Sequence, residues 1–413
     1  MNLESRIAIE ALRAGVPNRA AVRLLKTEET GLENAFDAQL QQVWSDAPGA
    51  HPGLGIAGGF GTGKSHFLGY LAEVARIQNF VVSRVVISKE TPLSDPARVF
   101  EAAARAAVLP DRNDDAIAAA IATLRQSRDK MAALETALER AEGSLAPLFS
   151  ALMHLLQRDG VPAGFVRHVE RFLAGGRLPV SEVKATLAQV GATRKFDLRV
   201  PAAAVLMEQR IHFVAALFHA AGYAGWCLLF DEVELIGRYT PLRRAQAYWW
   251  LGAWLGLEGA RGFPGIVVTY AITDDFVTAV IDERRDEEVL PERLRQKEWH
   301  HEARLAVAAM RHIAQTVRGH RLRAPGHEEL IRASLRVREI YRAAYDWEPP
   351  PPEPPSRTAS RTMRQYIKAW ITDWDMRRLT GDVTTMVTEE IAANYAEDES
   401  LSAVFESGEP TEA

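Results

Sequence analysis

The chain has 413 residues, enough for two or more domains or for one large core with insertions, and its 47% hydrophobic and 25% charged residues are an ordinary globular composition. A net charge of −5 argues against a protein dominated by one nucleic-acid surface, while leaving room for a local basic patch. The single cysteine, Cys227, excludes an internal disulfide framework and a cysteine-ligated zinc site; its apolar neighbours predict a buried, inert thiol. No apolar run approaches the ~20 residues of a membrane span, and Met1–Arg6 lacks the apolar core of a signal peptide, so the expectation is a soluble cytoplasmic protein with no membrane partner.

Residues 3–26 read as helices broken at Gly15-Val16-Pro17-Asn18, with Asn18 capping a helix over Arg19–Lys26, and a further amphipathic helix is predicted over about Gly31–Trp44. From Leu54 to Leu71 a short apolar strand leads through a glycine-rich turn into a helix. Phe80–Ser88 is the strongest strand by β-branched content. Between Pro96 and Ala220 the residues are rich in Ala, Leu and Arg, which predicts a long helical insertion of about five or six helices. Gly225–Asp231 and Gly265–Thr273 are further strands whose nearly continuous apolar character suits a parallel sheet covered on both faces. The chain turns helical again after Leu290. Pro349–Pro355, six prolines in seven residues, is an extended loop, and Arg357–Leu379 resumes as a helix. An acidic tail follows Glu389, its last ten residues expected to fray. The predicted organisation is a helical segment over 1–50 packing on an α/β core; that core over 51–290, with an insertion at about 95–205; a helical lid over 291–388 containing the 349–355 loop; and a tail over 389–413.

Gly58-Gly59-Phe60-Gly61-Thr62-Gly63-Lys64-Ser65 satisfies the pattern G-x-x-x-x-G-K-[ST] in full. Backbone N–H groups that turn inward around a phosphate need glycine's tolerance of positive φ. The helix that follows presents unpaired N–H groups and the positive end of its dipole to the anion. Lys64 then serves the β- and γ-phosphates of ATP and Ser65 offers its hydroxyl to Mg²⁺. His66, next along the helix, joins the nucleotide-binding candidates.

Cys227-Leu228-Leu229-Phe230-Asp231-Glu232 reads as a buried strand ending in two carboxylates. Asp231 suits the Mg²⁺ shell and Glu232 the orientation of the attacking water. Such a pair marks P-loop proteins that carry an extra strand between the two motifs, and Phe80–Ser88 is read as that strand. The polar end of Gly265–Thr273 makes Thr273 the candidate sensor of the γ-phosphate. Phosphoryl transfer profits from a cation near that phosphate, often from a neighbouring subunit. Arg238, Arg243 and Arg244 follow the acidic pair, Arg293 and Arg295 follow the sensor strand, and Arg361 and Arg364 occupy the late helix. Other signals favour plainer readings. Glu234 suits a solvated or helix-capping role. Tyr248, Trp249, Trp250 and Trp254 suit packing, and Arg304, Arg311 and Arg318, with Arg321 and Arg323 beyond, suit a solvated face.

The opening Ala11-Leu12-Arg13-Ala14-Gly15-Val16-Pro17-Asn18-Arg19-Ala20-Ala21-Val22-Arg23 resembles the start of a family of bacterial P-loop proteins that includes the ATP-binding D component of BREX phage-defence systems. Ser88-Lys89-Glu90-Thr91-Pro92-Leu93 and Phe230-Asp231-Glu232-Val233-Glu234 resemble that family too. The blocks run from residue 6 to about 300, with a weaker one near Arg361–Trp370; the insertion and the proline-rich segment fall outside the likeness. The family is similar to AAA+ ATPases related to origin-recognition and initiator proteins. The resemblance implies an ATPase in an anti-phage island beside a helicase, methyltransferase or other DNA-handling partner. It also implies that the Pro17–Arg19 turn lies near the adenine and that Glu90 or Thr91 lies near Glu232.

The sequence therefore predicts an α/β, AAA+-like P-loop ATPase with a parallel sheet, a large helical insertion and a helical C-terminal lid. Two other classes share its motifs: a slow-turnover signalling switch or scaffold, and, less compatible with Asp231-Glu232 and the insertion, a P-loop kinase. DNA contact, direct or through a partner, stays open, as does a nucleotide-dependent homo-oligomer in which an arginine is supplied in trans.

Overall fold

The computed structural model describes residues 2–14, 20–21, 30–43, 53–112, 114–140, 145–192, 196–257, 262–322, 326–351, 363–381 and 395–398. At its centre, strands β1 (Leu54–Ala57), β2 (Phe80–Val86), β3 (Gly225–Asp231) and β4 (Ile266–Ile272) form one parallel sheet in the order β1-β4-β3-β2. His320–Leu322 extends this sheet by a short parallel stub beside β1: Ala57 N donates to His320 O at 2.8 Å and Leu322 N to Ala57 O at 2.8 Å. The strand interposed between β1 and β3 is thus β4. Phe80–Val86, expected there, lies instead at the sheet edge outside β3 and ends two residues earlier than predicted. β4 (Ile-Val-Val-Thr-Tyr-Ala-Ile) carries no charge, whereas β2 (Phe-Val-Val-Ser-Arg-Val-Val) holds Arg84 and an exposed Val86, which suits an edge place.

Both faces are covered, as continuous apolar strands require. On one face Ile56, Val82, Cys227, Leu229 and Ala271 meet α2 (Thr30–Gln42) and α3 (Lys64–Ile77) through Phe36, Leu40, Phe67, Leu68 and Leu71. On the other, Val81, Trp226, Leu228, Phe230 and Tyr270 join the larger core. The helices there begin with α4 (Pro96–Arg105), started by Asp95, whose carboxylate accepts from Ala97 N at 3.1 Å and Arg98 N at 3.2 Å, with Pro96 in the first turn. There follow α5 (Ala116–Arg125), α6 (Arg128–Arg140), α7 (Pro147–Leu156), α8 (Ala163–Leu173), α9 (Val180–Gln189) and α10 (Ala203–Ala221). Helices α4 and α10 pack on β2 and β3, so they belong to the sheet's own cover; the excursion from it is α5–α9. Ser83 ties strand to helix by donating to Ala103 O at 2.6 Å while accepting from Trp226 Nε1 at 2.9 Å. Each such bond contributes about 1 kcal/mol net, and far more is lost if one partner is left buried alone.

After β3 come a 3₁₀ turn (Val233–Arg238) and α11 (Pro241–Trp254); after β4 come a π-turn (Val277–Asp282), α12 (Asp286–Arg295) and α13 (His300–Gly319). Thr316 of α13 bonds the Tyr270 hydroxyl at 3.1 Å, so α13 belongs to the sheet's cover rather than to a separate lid. Arg304, Arg311 and Arg318 line its exposed face, opposite the buried Ala306, Met310 and Ile313. Trp254 is buried edge-on against Phe230, and Trp249 and Trp250 pack on the core, which fits the packing reading of these aromatics.

The last group is α14 (His327–Tyr345) and α15 (Met363–Leu379), joined by the first helix of the chain, α1 (Leu3–Ala14). Ile9, Leu12, Val337, Tyr341, Trp370 and Trp374 form its own apolar core. Arg13 locks α1 in place with two bonds to Asp375, from Nε at 2.9 Å and from Nη2 at 3.0 Å, and a third to the Tyr345 hydroxyl at 3.1 Å. Of the two described helices in the segment expected to pack on the sheet, α2 does so, while α1 joins the C-terminal helices, because its Ala8, Ile9 and Leu12 face finds Tyr341 and Trp374 there. The Asn18 cap, residues 352–355 of the proline loop, and Arg323, Arg361 and the end of the tail lie outside the described residues.

Candidate functional site

The glycine-rich loop joins β1 to α3 at the end of the sheet where β3 ends in its carboxylates. Gly61 (φ 77°) and Gly63 (φ 104°) take the left-handed backbone that side-chain-bearing residues avoid. At Gly63 a Cβ would meet nothing within 4 Å, so space is open above the helix start. The loop closes on itself: Thr62 Oγ1 donates to Gly59 O at 2.9 Å, and Lys64 Nζ donates to Gly58 O at 3.0 Å and Gly59 O at 3.3 Å. The ammonium is buried, 3.8 Å from Glu234 Oε1 and 5.8 Å from the centre of the Phe60 ring. Ser65 and His66 follow in the first turn of α3, both partly exposed.

Asp231 ends β3 and is buried, with its Oδ1 accepting from Glu232 N at 3.1 Å. Glu232 turns the chain sharply, at φ 59°, into the 3₁₀ turn. Although Glu232 keeps an exposed side, partial burial first and the neighbouring Asp231 second push its carboxyl above the usual range, while Lys64 and Arg364 at the start of α15 pull it back. Glu234 lies deeper. Burial pushes it up to about 7 against the pull of Lys64, and neither oxygen has a well-formed hydrogen bond among the described residues. This overturns the solvated reading of Glu234: the tight turn after Glu232 carries its side chain inward onto Lys64.

Sequence reasoning missed Arg84. From β2 its guanidinium donates to Ser65 O at 3.0 Å and lies 3.6 Å from Asp231 Oδ2, joining the first turn of α3 to the acidic strand. Burial lowers its pKa, with Asp231 opposing that effect. A charged residue inside an otherwise apolar strand was the available signal.

Thr273, just past β4, is fully buried and hydrogen-bonds the hydroxyl of Tyr395, which donates in turn to Asp275 Oδ1 at 2.8 Å. Asp274 pairs with Arg321 of the edge stub. The arginine candidates separate clearly. Arg244 is a structural residue: buried, it grips Asp286 with Nε at 2.7 Å and Nη2 at 2.9 Å and donates to Tyr239 O at 2.8 Å. With a further bond from Nη1 to Glu397 at 3.2 Å, four of its five N–H hydrogens are engaged within the fold, so phosphate would compete with these bonds. Arg243 lies on α11 in the field of Asp95. Arg295 is exposed and 3.4 Å from Glu292, a surface pair. Arg364 is the late-helix arginine whose charge reaches Glu232. Glu90 is exposed, accepting from Ser88 Oγ at 2.9 Å on the loop that leaves β2 beside Asp231.

Do these residues fit a nucleotide with a divalent cation? Asp231, Glu232 and Glu234 bring three carboxylates against Lys64 and Arg84, and among the described residues Glu234 meets Lys64 at 3.8 Å without a well-formed hydrogen bond, beside an open glycine loop. Buried acceptors with so loose a partner are costly unless a cation or ordered water completes them. Loop, hydroxyl and carboxylates together fit a phosphate-bound Mg²⁺.

Residues 2–148 match the family described as BREX system ATP-binding protein BrxC/D. The matched stretch contains β1, the glycine loop, α3, β2 and the Ser88–Leu93 loop, and stops before β3. The match implies an ATP-binding component of a phage-defence system. No curated protein and no solved structure matches the chain. No helix among the described residues is long and apolar enough to cross a membrane.

Proposed function

From that family match we propose that the chain is a Mg²⁺-dependent ATPase of the AAA+ type, acting in BREX-type defence against phage. The observation that carries the reading is the convergence, at one end of a parallel sheet, of the Gly58–Ser65 loop with Asp231 and Glu232 from a strand two places away. In this reading the loop N–H groups and Lys64 hold the triphosphate, Lys64 trading the Gly58 and Gly59 carbonyls for phosphate oxygens. Ser65 and Asp231 hold Mg²⁺, whose contribution is to neutralise charge on the β- and γ-oxygens. Glu232 orients the attacking water; its raised pKa suits a group that accepts a proton late. Arg84 keeps Asp231 in register with Ser65, Thr273 reports on the γ-phosphate, and Arg364 supplies positive charge from the C-terminal helices. Turnover then drives conformational or assembly changes with DNA-handling partners of the same island.

The test is ATP turnover and ATP binding by wild type, Lys64→Ala and Glu232→Gln, with and without duplex and single-stranded DNA. Lys64→Ala is expected to lose binding. Glu232→Gln is expected to keep binding and lose turnover by about 100-fold or more, the scale of removing a water-orienting group. Turnover unchanged in Glu232→Gln would sink the assigned chemistry. Tight binding with negligible wild-type turnover under every condition would favour the signalling switch that the same motifs allow.

A further inference from the structure

The segment Tyr395-Ala396-Glu397-Asp398 is docked on the site by contacts from every one of its polar ends. It lies across the two turns that leave the tips of β3 and β4. The Tyr395 ring stands edge-on to Phe276 with centroids 6.0 Å apart, and its Cδ1 lies over Gly237, where an added Cβ would come within 2.9 Å. Arg284 donates to Gly237 O at 2.8 Å and to Tyr395 O at 2.5 Å. Glu397 Oε1 accepts from Arg244 at 3.2 Å and Arg284 at 3.4 Å. Arg238 and Asp398 are joined twice, Asp398 N donating to Arg238 O at 3.0 Å and Arg238 Nη2 to Asp398 Oδ2 at 2.8 Å. Acidic side chains on the strap meet three arginines around the groove.

The hydrogen inventory at its head gives this strap a meaning. A phenol has one hydrogen to donate, and a carboxylate can only accept. Tyr395 spends its hydrogen on Asp275, 2.8 Å away. In the bond between Thr273 and Tyr395 the donor is therefore Thr273. A hydroxyl that senses a phosphate must donate to it, and the single hydrogen of Thr273 is already committed to the strap.

We propose that Tyr395 is a positioning residue of the site: it holds the Thr273 hydroxyl while nucleotide is absent, and the γ-phosphate of ATP competes for that hydrogen and loosens the Tyr395–Asp398 strap. ADP, lacking the γ-phosphate, leaves it docked. The idea rests on the ATPase reading, and it gives that site a cis-acting output: the strap's acidic end is released from Arg238 and Arg284 when the site fills.

The test uses the full chain and Tyr395→Phe, which keeps the ring packing and removes the acceptor. Binding of a non-hydrolysable ATP analogue and of ADP is measured by calorimetry, and exchange of the Asp398 amide by hydrogen–deuterium mass spectrometry. In wild type, that amide is expected to exchange faster with the analogue than with ADP. Tyr395→Phe should raise analogue affinity about 5-fold, the worth of one competing hydrogen bond, with ADP affinity unchanged. In a Thr273→Val background the same change should do nothing. Melting of both variants alongside wild type checks that they fold. Identical analogue-to-ADP ratios in wild type and Tyr395→Phe, or equal Asp398 exchange with both nucleotides, would overturn the strap while Lys64-dependent binding still upheld the ATPase reading. Failure of wild type to bind either nucleotide would overturn both.

Discussion

Two charge clusters, one around Arg244 and one around Lys64, differ in one respect, completeness. Around Arg244 every charge is answered: Asp286 takes two bonds from the guanidinium, Tyr248 donates to it at 3.2 Å, and Tyr239 O takes a third arginine N–H. Around Lys64 the count fails. Asp231, Glu232 and Glu234 crowd two cations, and among the described residues Glu234 has no well-formed hydrogen bond. A closed cluster stabilises a fold; an open one keeps unmet electrostatic demand that a cation and phosphate can satisfy.

Breaking the closed cluster should produce the larger loss. Arg244→Leu leaves Asp286 buried without its partner, and removal of one member of such a pair costs roughly 3–5 kcal/mol. Urea unfolding should show an unfolding free energy lower by that amount, and the stability of Arg244→Leu matching wild type would mean the cluster is solvated after all. Its effect on turnover should follow from unfolding, since four of the five Arg244 N–H hydrogens are engaged within the fold.

The open cluster should respond in the opposite direction. The Glu234 carboxyl is raised from its ordinary 4.5 to about 7, chiefly by burial. A raised folded pKa means the native state holds the proton more tightly than the unfolded chain. This group's contribution is therefore fully present below pH 4.5 and is lost as pH rises to about 7. Glu234→Gln carries no charge to desolvate, so it should stabilise the nucleotide-free protein by roughly 1–3 kcal/mol at pH 8 and by little at pH 4.5. Paired urea titrations of wild type and variant at the two pH values read that difference directly; a pH-independent difference would remove Glu234 from the titrating core.

What could be read in the sequence divides along the same line. The strand–loop–helix around Gly58–Ser65 is local: glycines, apolar run and helix start sit within about twenty residues, and the structure repeats the prediction there. Asp231-Glu232 at the end of β3 is also local, and its strand limits agree. The edge position of Phe80–Val86, the swing of α1 onto Tyr341 and Trp374, and the burial of Glu234 are not local. They follow from pairings between segments far apart in the chain, and a hydrophobic pattern fixes which face is buried without fixing against what. Tyr395 had no signal at all, for an acidic tail reads as solvated until three arginines from elsewhere are seen around it.

The smallest effects separate the arginines that remain. Arg295 and Glu292 form an exposed pair three residues apart, a geometry worth less than about 1 kcal/mol and screened by salt. Arg295→Ala should leave both stability and turnover within error of wild type. Arg364 is exposed as well, yet its positive charge, after that of Lys64, opposes the rise of the Glu232 carboxyl. Arg364→Ala should leave the melting midpoint alone and lower kcat by about 2- to 5-fold, the scale of one screened charge, with the loss shrinking as salt is added. Equal turnover by the two variants at low salt would show that α15 brings no working charge to the site, and an arginine from a second copy would then have to be sought by light scattering with ATP present.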